Sequence, residues 1–293
     1  MTEEYGERFG PLTLKALNSQ GTAPILALIE QFRPDADGGN DMAASRINEL
    51  KYRLADRYQK GSEGVAKDYS AAIALYEELL ADGWGYSVAV ELAGMYAIGQ
   101  GVPVDYGKAL ALINEHASEG WDPYRNMFEP VVSCGGTTTL FQQPLKCAHR
   151  HYFTEGLAEA GLSPIRTDSD YRSDIWDSSD HMPGSSMLVA AFTDEHRLAT
   201  VRYTFDGPLD AERAIRVQQM VAKKYGTPAS SEGNEGVGPL TYRWQLPDGV
   251  ELNVYREWPS TTTYLYYLMP GDHEKWVQQA KQDVEIEVPD KAL

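Results

Sequence analysis

The spacing of apolar positions changes once along this chain. Up to about residue 130 they recur at helical spacing, and small residues (Ala55, Ala72, Ala93, Ala109) sit where two helices can approach closely. After Pro144 helices and strands alternate. Residues 146–161 read as a helix ending at glycine with Pro164 beyond it, and 171–176, 187–192 and 198–205 read as strands. The order then recurs. A helix over 209–225 starts beyond Gly207 and Pro208 and stops at Gly226 and Pro228, and strands follow at 240–246, 250–255 and 262–268. Pro247, Asp248 and Gly249 form a hairpin turn between the first two of these. A closing helix near 272–282 leads into an acidic tail. Within the strands, Val201, Tyr203 and Phe205 alternate with Arg202 and Thr204, and Tyr242 and Trp244 with Arg243 and Gln245. One sheet face is expected to pack on the two helices and the other to stay open. The pattern predicts an α+β chain: an all-α domain over 1–130, then a tandem αβββ antiparallel-sheet domain over 131–293.

The helical half contains an internal repeat. The segment LADRYQKGSEGVAKDYSAAIALYEELLADGW from Leu54 returns as LAGMYAIGQGVPVDYGKALALINEHASEGW from Leu92. Gly64, Asp68, Tyr69, Ala72, Gly83 and Trp84 recur thirty-seven residues later at Gly101, Asp105, Tyr106, Ala109, Gly120 and Trp121. Leu54 and Tyr58 recur thirty-eight later at Leu92 and Tyr96. Gly61 and Gly64, then Gly99 and Gly101, supply positive φ for the turn back. Asp68 and Asp105 stand where the second helix needs its N-cap, and Gly83 and Gly120 end it. Tyr58, Tyr76 and Tyr96 fill gaps between helix pairs. A further helix pair is expected over 11–32, and a degenerate third repeat start over 121–132. The acidic linker 34–41 departs from a calcium loop in the place of its glycine and in Arg46 at the twelfth position, so it reads as a turn with Asp41 capping the next helix.

This pattern closely resembles the Sel-1-like repeat, a relative of the tetratricopeptide repeat, over roughly residues 45–121. The resemblance implies an α/α solenoid with a surface for proteins or peptides and no catalytic residue; Arg53 and Arg57 are the candidate contacts there. The order of elements in the second half is similar to the β-lactamase inhibitor protein, which implies protein binding on the open sheet face.

Composition narrows the partners. There are 43 acidic and 26 basic residues, a net charge of -17. Such a surface repels phosphate backbones and anionic lipid, so nucleic acid is not an expected partner, whereas a basic protein would be steered towards it. The same acidity serves solubility. No apolar run is long enough to span a membrane. The first residues carry no basic start and no apolar export segment. Cys134 and Cys147, thirteen positions apart, either close a small disulfide loop or remain buried thiols. The first places the protein in the periplasm or outside the cell, the second in the cytoplasm.

Catalytic signatures are missing from the sequence. There is no nucleophile elbow, no phosphate loop, no dinucleotide fingerprint, and His273-Glu274 lacks a second histidine. Neither an enzymatic activity nor a cofactor is expected. Cys147 with His151 is too little for zinc. His149 and His151 read as surface or packing residues, and Asp168, Asp170, Asp174, Asp177 and Asp180 as solvated strand ends. The aromatic and arginine positions of the last strands carry more information, because such side chains anchor protein interfaces. Trp244 is assigned to the core, and Arg202, Arg243, Asn253, Tyr255 and Tyr264 to the open face. The functions considered are a bacterial immunity or inhibitor protein that binds a secreted toxin or hydrolase, a cell-envelope scaffold or adaptor, and a hydrolase with an unrecognised site.

Overall fold

The computed structural model describes residues 2–118, 120–207 and 210–286; the acidic tail and Leu209 lie outside them. The chain is α+β and forms two compact units, 1–125 and 126–293, against a division expected after residue 130.

The first unit holds α1 (Thr2–Leu17), α2 (Ala23–Asp37), α3 (Asp41–Lys60), α4 (Tyr69–Ala81), α5 (Tyr86–Ile98) and α6 (Tyr106–His116). α2 packs on α3, α3 on α4 and α5 on α6. The recurring segments are the pairs α3/α4 and α5/α6, and both turns close in the same way. Gly61 and Gly99 end the first helices at φ 65° and 91°. The amides of Asp68 and Asp105 then donate back to the carbonyls of Tyr58 and Tyr96, each at 2.9 Å. Their carboxylates cap α4 and α6 through the amides of Ala71 (3.0 Å) and Lys108 (2.8 Å). Gly101 is required twice over: its φ is +71°, and a Cβ there would lie 2.5 Å from Cβ of Tyr69. The α3 cap is Asn40, whose side chain accepts from Met42 and Ala43, so the expected cap Asp41 is instead the first helical residue. Ile25, Ile29, Phe32, Leu50 and Leu54 form a core, and Tyr76 is fully buried with its hydroxyl on Gln59.

The second unit begins within α7 (Pro123–Cys134) and continues with β1 (Thr139–Leu140), β2 (Gln143–Pro144), α8 (Arg150–Glu159), β3 (Ser163–Arg166), β4 (Ser173–Asp177), β5 (Met187–Phe192) and β6 (Leu198–Phe205). There follow α9 (Arg213–Tyr225), β7 (Ser230–Gly233), β8 (Leu240–Gln245), β9 (Glu251–Arg256), β10 (Thr263–Leu268) and α10 (Pro270–Ile286). An 8-stranded antiparallel sheet runs β3-β4-β5-β6-β10-β9-β8-β7. It consists of two helix-plus-meander halves joined where β6 pairs with β10. Each half therefore has four strands, αββββ, where the sequence pattern predicts three. The missing strands are the edges. β3 reads SPIR and β7 reads SSEG, and neither buries a side chain, so neither leaves an apolar alternation to detect.

Phe153 and Leu157 of α8 and Val217 and Val221 of α9 pack on Trp176, Leu188, Val201, Tyr203, Leu252, Val254 and Leu265. Trp244 is in this core, its indole N–H on the Gly226 carbonyl at 2.8 Å. Arg256 is fully buried, and its guanidinium bonds the carbonyls of Ala211, Asn234, Glu235 and Gly238. It fastens the loop between β7 and β8.

The opposite face is only partly open, against the expectation of an uncovered sheet. α10 packs on β5 and β6, and Ala191 and Thr200, on the outward side by register, are buried at 3% and 7% exposure. Cys134 and Cys147 are joined in a disulfide, Cα–Cα 6.4 Å, which ties the end of α7 to the segment before α8. Cys147 has φ +59°, outside the helical region, so α8 starts at Arg150 and not at 146. Asp248 holds the same region. Its carboxylate accepts from the amides of Thr137 (2.8 Å) and Thr138 (2.7 Å). Burial alone would raise its pKa, yet these donors hold it below the ordinary carboxylate value.

Candidate functional site: an arginine and tyrosine face on the sheet

Strand alternation sends every second side chain of β6, β8, β9 and β10 away from the core, and register lines them up across the sheet. One row reads Val189, Arg202, Tyr266, Asn253, Arg243; the next reads Met187, Thr204, Tyr264, Tyr255, Thr241. The candidates Arg202, Arg243, Asn253, Tyr255 and Tyr264 thus come together in two neighbouring rows. Tyr255 and Tyr264 stack at 6.3 Å with 13° between their planes, and Tyr266 lies 5.9 Å from Tyr264. The Arg202 guanidinium sits over the Tyr264 ring at 5.3 Å. A contact of this kind contributes about 0.5–1 kcal/mol at an exposed site. It therefore orients Arg202 more than it stabilises the fold. Burial is the main cause that raises the Tyr264 phenol above its ordinary pKa, with Glu257 adding to it and Arg202 opposing it. Tyr264 remains a protonated donor at neutral pH.

Arg243 is exposed and pairs with Glu232 at 3.0 Å, an ion pair of small energetic weight in water. Arg202 differs. No hydrogen bond or ion pair meets its guanidinium among the described residues, and its Nε is buried, as is the unmet Nε of Arg166, whose Nη2 is bonded. Every other arginine of this unit has an acceptor. Arg150 holds Asp174, Arg166 the Ser173 hydroxyl, Arg172 Asp194, and both Arg213 and Arg216 bond Asp210. Arg197 and Arg256 bond backbone carbonyls, and Arg243 bonds Glu232. An unmet buried donor costs about 1–3 kcal/mol; the unit carries other such atoms, among them Arg166 Nε and Trp176 Nε1, but Arg202 is the arginine left without any acceptor.

The helical-unit candidates separate. Arg53 is exposed. Arg57 is 4% exposed and donates to the carbonyls of Gly21 (2.7 Å) and Leu17 (2.6 Å), so it closes the end of α1 and is not available to a partner. The signal was its spacing: Arg57 follows Leu50 and Leu54 at i+7 and i+3, the inward side of α3. The outward apolar residues Val189 and Met187 are not visible in the sequence, because MLVAAF is a continuous apolar run without alternation.

Two further assignments change. Asp174 is not a solvated strand end; it is 1% exposed and takes Arg150 in a two-point pair at 2.6 and 3.0 Å. His149 caps α8, its Nδ1 accepting from the His151 amide at 3.3 Å. Burial, helped by Arg197, His196 and His151, lowers its pKa to about 4. Among the described residues no group of three or more His, Cys, Asp or Glu is placed to hold a metal ion, and no helix is long and apolar enough to cross a membrane.

Fold and site together define the class: an α+β chain with N-terminal helices, a C-terminal antiparallel sheet and an aromatic, arginine-bearing outward face. No family model matches the chain, and no curated protein matches it. Two solved structures are similar in part. One is a DUF4309 family protein (YjgB) from Bacillus subtilis, 14% identical, covering 49% of this chain and 93% of that one, with a TM-score of 0.30. The other is c5321, a protective antigen present in uropathogenic Escherichia coli strains and displaying an SLR fold. It is 22% identical and covers 52% of this chain and 33% of its own, with a TM-score of 0.27. At these scores neither likeness carries an argument about this chain.

Proposed function

We propose that this chain is a non-catalytic protein-binding module that engages its partner through the outward face of β6, β10, β9 and β8. The observation that carries the reading is the grouping of Arg202, Tyr264, Tyr255, Tyr266, Asn253 and Arg243 in two adjacent rows. Aromatic and arginine side chains are enriched among the anchors of protein interfaces, the aromatics because few torsions are frozen when they bind. The helix pairs α3/α4 and α5/α6, with their matching turns and caps, support reading the first unit as Sel-1-like repeats in an α/α array that offers a second protein surface. An eight-stranded sheet from two tandem halves is in keeping with an architecture like that of the β-lactamase inhibitor protein. The biological role we favour is an immunity or inhibitor protein for a secreted toxin or hydrolase. The Cys134–Cys147 disulfide supports a periplasmic or extracellular setting, where such bonds persist.

The test is affinity capture from the source organism with the tagged chain, repeated with Tyr255→Ala and Arg243→Ala. The reading expects one stoichiometric partner, retained by the parent chain and lost from the variants. A partner retained by both variants would overturn it, as would turnover in a broad hydrolase screen.

A further inference from the structure

We infer that the partner docks a loop carrying one carboxylate, an Asp or Glu side chain, onto the Arg202 guanidinium, with basic residues on either side of that carboxylate. This rests on reading the outward sheet face as the protein-binding surface and adds the chemistry of what it takes.

Three observations converge on it. In a chain of net charge -17, Arg202 is the arginine of the second unit that has no acceptor among its described residues. A guanidinium offers five donors in a planar fork that matches a carboxylate, and the Tyr264 ring lies against it at 5.3 Å. The surroundings have the opposite sign. Glu232 lies on the outward face of β7, opposite Thr241, and Glu251 on that of β9, opposite Leu268. Asp206 follows β6 and Glu257 follows β9, close enough for both charges to act on the Tyr264 phenol.

The site is therefore a cation among tyrosines with a partial ring of acids around it, Val189 and Met187 on its β5 side, and Arg243 farther along the row already held by Glu232. A polyanion such as nucleic acid meets repulsion from Glu251, Asp206 and Glu257 around the face. A purely basic surface matches the ring and leaves the central guanidinium buried against like charge. A basic loop with one carboxylate satisfies both. The ring steers it in, and the centre fixes its register. Asn253 and the tyrosine hydroxyls sit beside Arg202 in the same two rows and can donate to the remaining carboxylate lone pairs.

The experiment uses the whole chain and a defined probe. A phage library of disulfide-closed random loops is panned on it, and the best loop is synthesised together with its Asp→Asn or Glu→Gln counterpart. Affinities are measured for the parent chain, Arg202→Gln, Arg202→Lys and Tyr255→Ala, each checked for folding by its melting transition. The inference expects an acidic position flanked by Lys or Arg. It also expects losses of roughly 10- to 100-fold on Arg202→Gln and on neutralising that position. The two changes together should cost no more than either alone, and Arg202→Lys should fall between. Loops without an acidic position, or loops that bind Arg202→Gln as tightly as the parent, overturn the carboxylate anchor. If Tyr255→Ala still weakens those loops, the sheet-face reading stands without it. If no substitution on the face affects any loop, both fail.

Discussion

The two αββββ halves of the sheet unit bury the same kind of face and differ on the other. In the first half the outward positions of β4, β5 and β6 include Ile175, Val189, Ala191 and Thr200, and α10 lies over part of them. In the second, the equivalent positions of β8, β9 and β10 are Thr241, Arg243, Asn253, Tyr255, Tyr264 and Tyr266, and they remain half-buried or exposed. Folding explains the inward face of both halves, because apolar burial drives it in each. It explains the part of the first half's outward face that α10 covers, around Ala191 and Thr200. It leaves the tyrosines and Arg202 of the central strands without a structural reason, and that is where the proposed binding surface lies.

The comparison can be broken most severely from the inside. Arg256→Ala, on the inward side of β9, strands several backbone carbonyls and should cost about 3 kcal/mol or more in urea unfolding. A loss below about 1 kcal/mol would mean that this face is not the packed one. Next comes Ala191→Lys under α10, which puts an amine into a covered outward position and should cost about 2 kcal/mol. The same change at Thr241, on the uncovered half, should fall within about 0.5 kcal/mol.

A smaller difference concerns the helices. α8 is capped by His149, whereas α9 starts at Glu212 without a side-chain cap. His149 is lowered to about 4 in the fold, against about 6.5 when unfolded. Between these values the unfolded chain binds the extra proton. Stability from this group is therefore full above the unfolded value, declines as pH falls towards the folded one, and is level below it. His149→Asn keeps an acceptor at the cap and should flatten that part of the pH profile in thermal melts; an unchanged profile would place the titration elsewhere. The least effect on stability belongs to Tyr255→Ala, about 1 kcal/mol or less from the lost cross-strand stack, although it should abolish partner capture.

How much of this was legible in the sequence follows from how locally each feature is encoded. The repeat turns were, because Gly61, Gly99, Asp68 and Asp105 act within a few residues of themselves. The outward placement of Arg202, Arg243, Asn253, Tyr255 and Tyr264 followed from alternation alone. The edge strands β3 and β7 did not show, since they bury nothing and take their place from the neighbouring strand's backbone. Nor did the cover that α10 gives β5 and β6, or the pairing of Arg150 with Asp174 across 24 residues. Those depend on which distant element arrives, and no local pattern carries that. Arg57 was misassigned for the opposite reason: its charge suggested the surface, while its spacing along α3 already pointed inward.

The most direct measurement is amide hydrogen exchange on the chain with and without its captured partner. The account predicts added protection concentrated in β6, β10, β9 and β8, with β4 unchanged. Protection confined to the helical unit, or to β3 and β4, would contradict it.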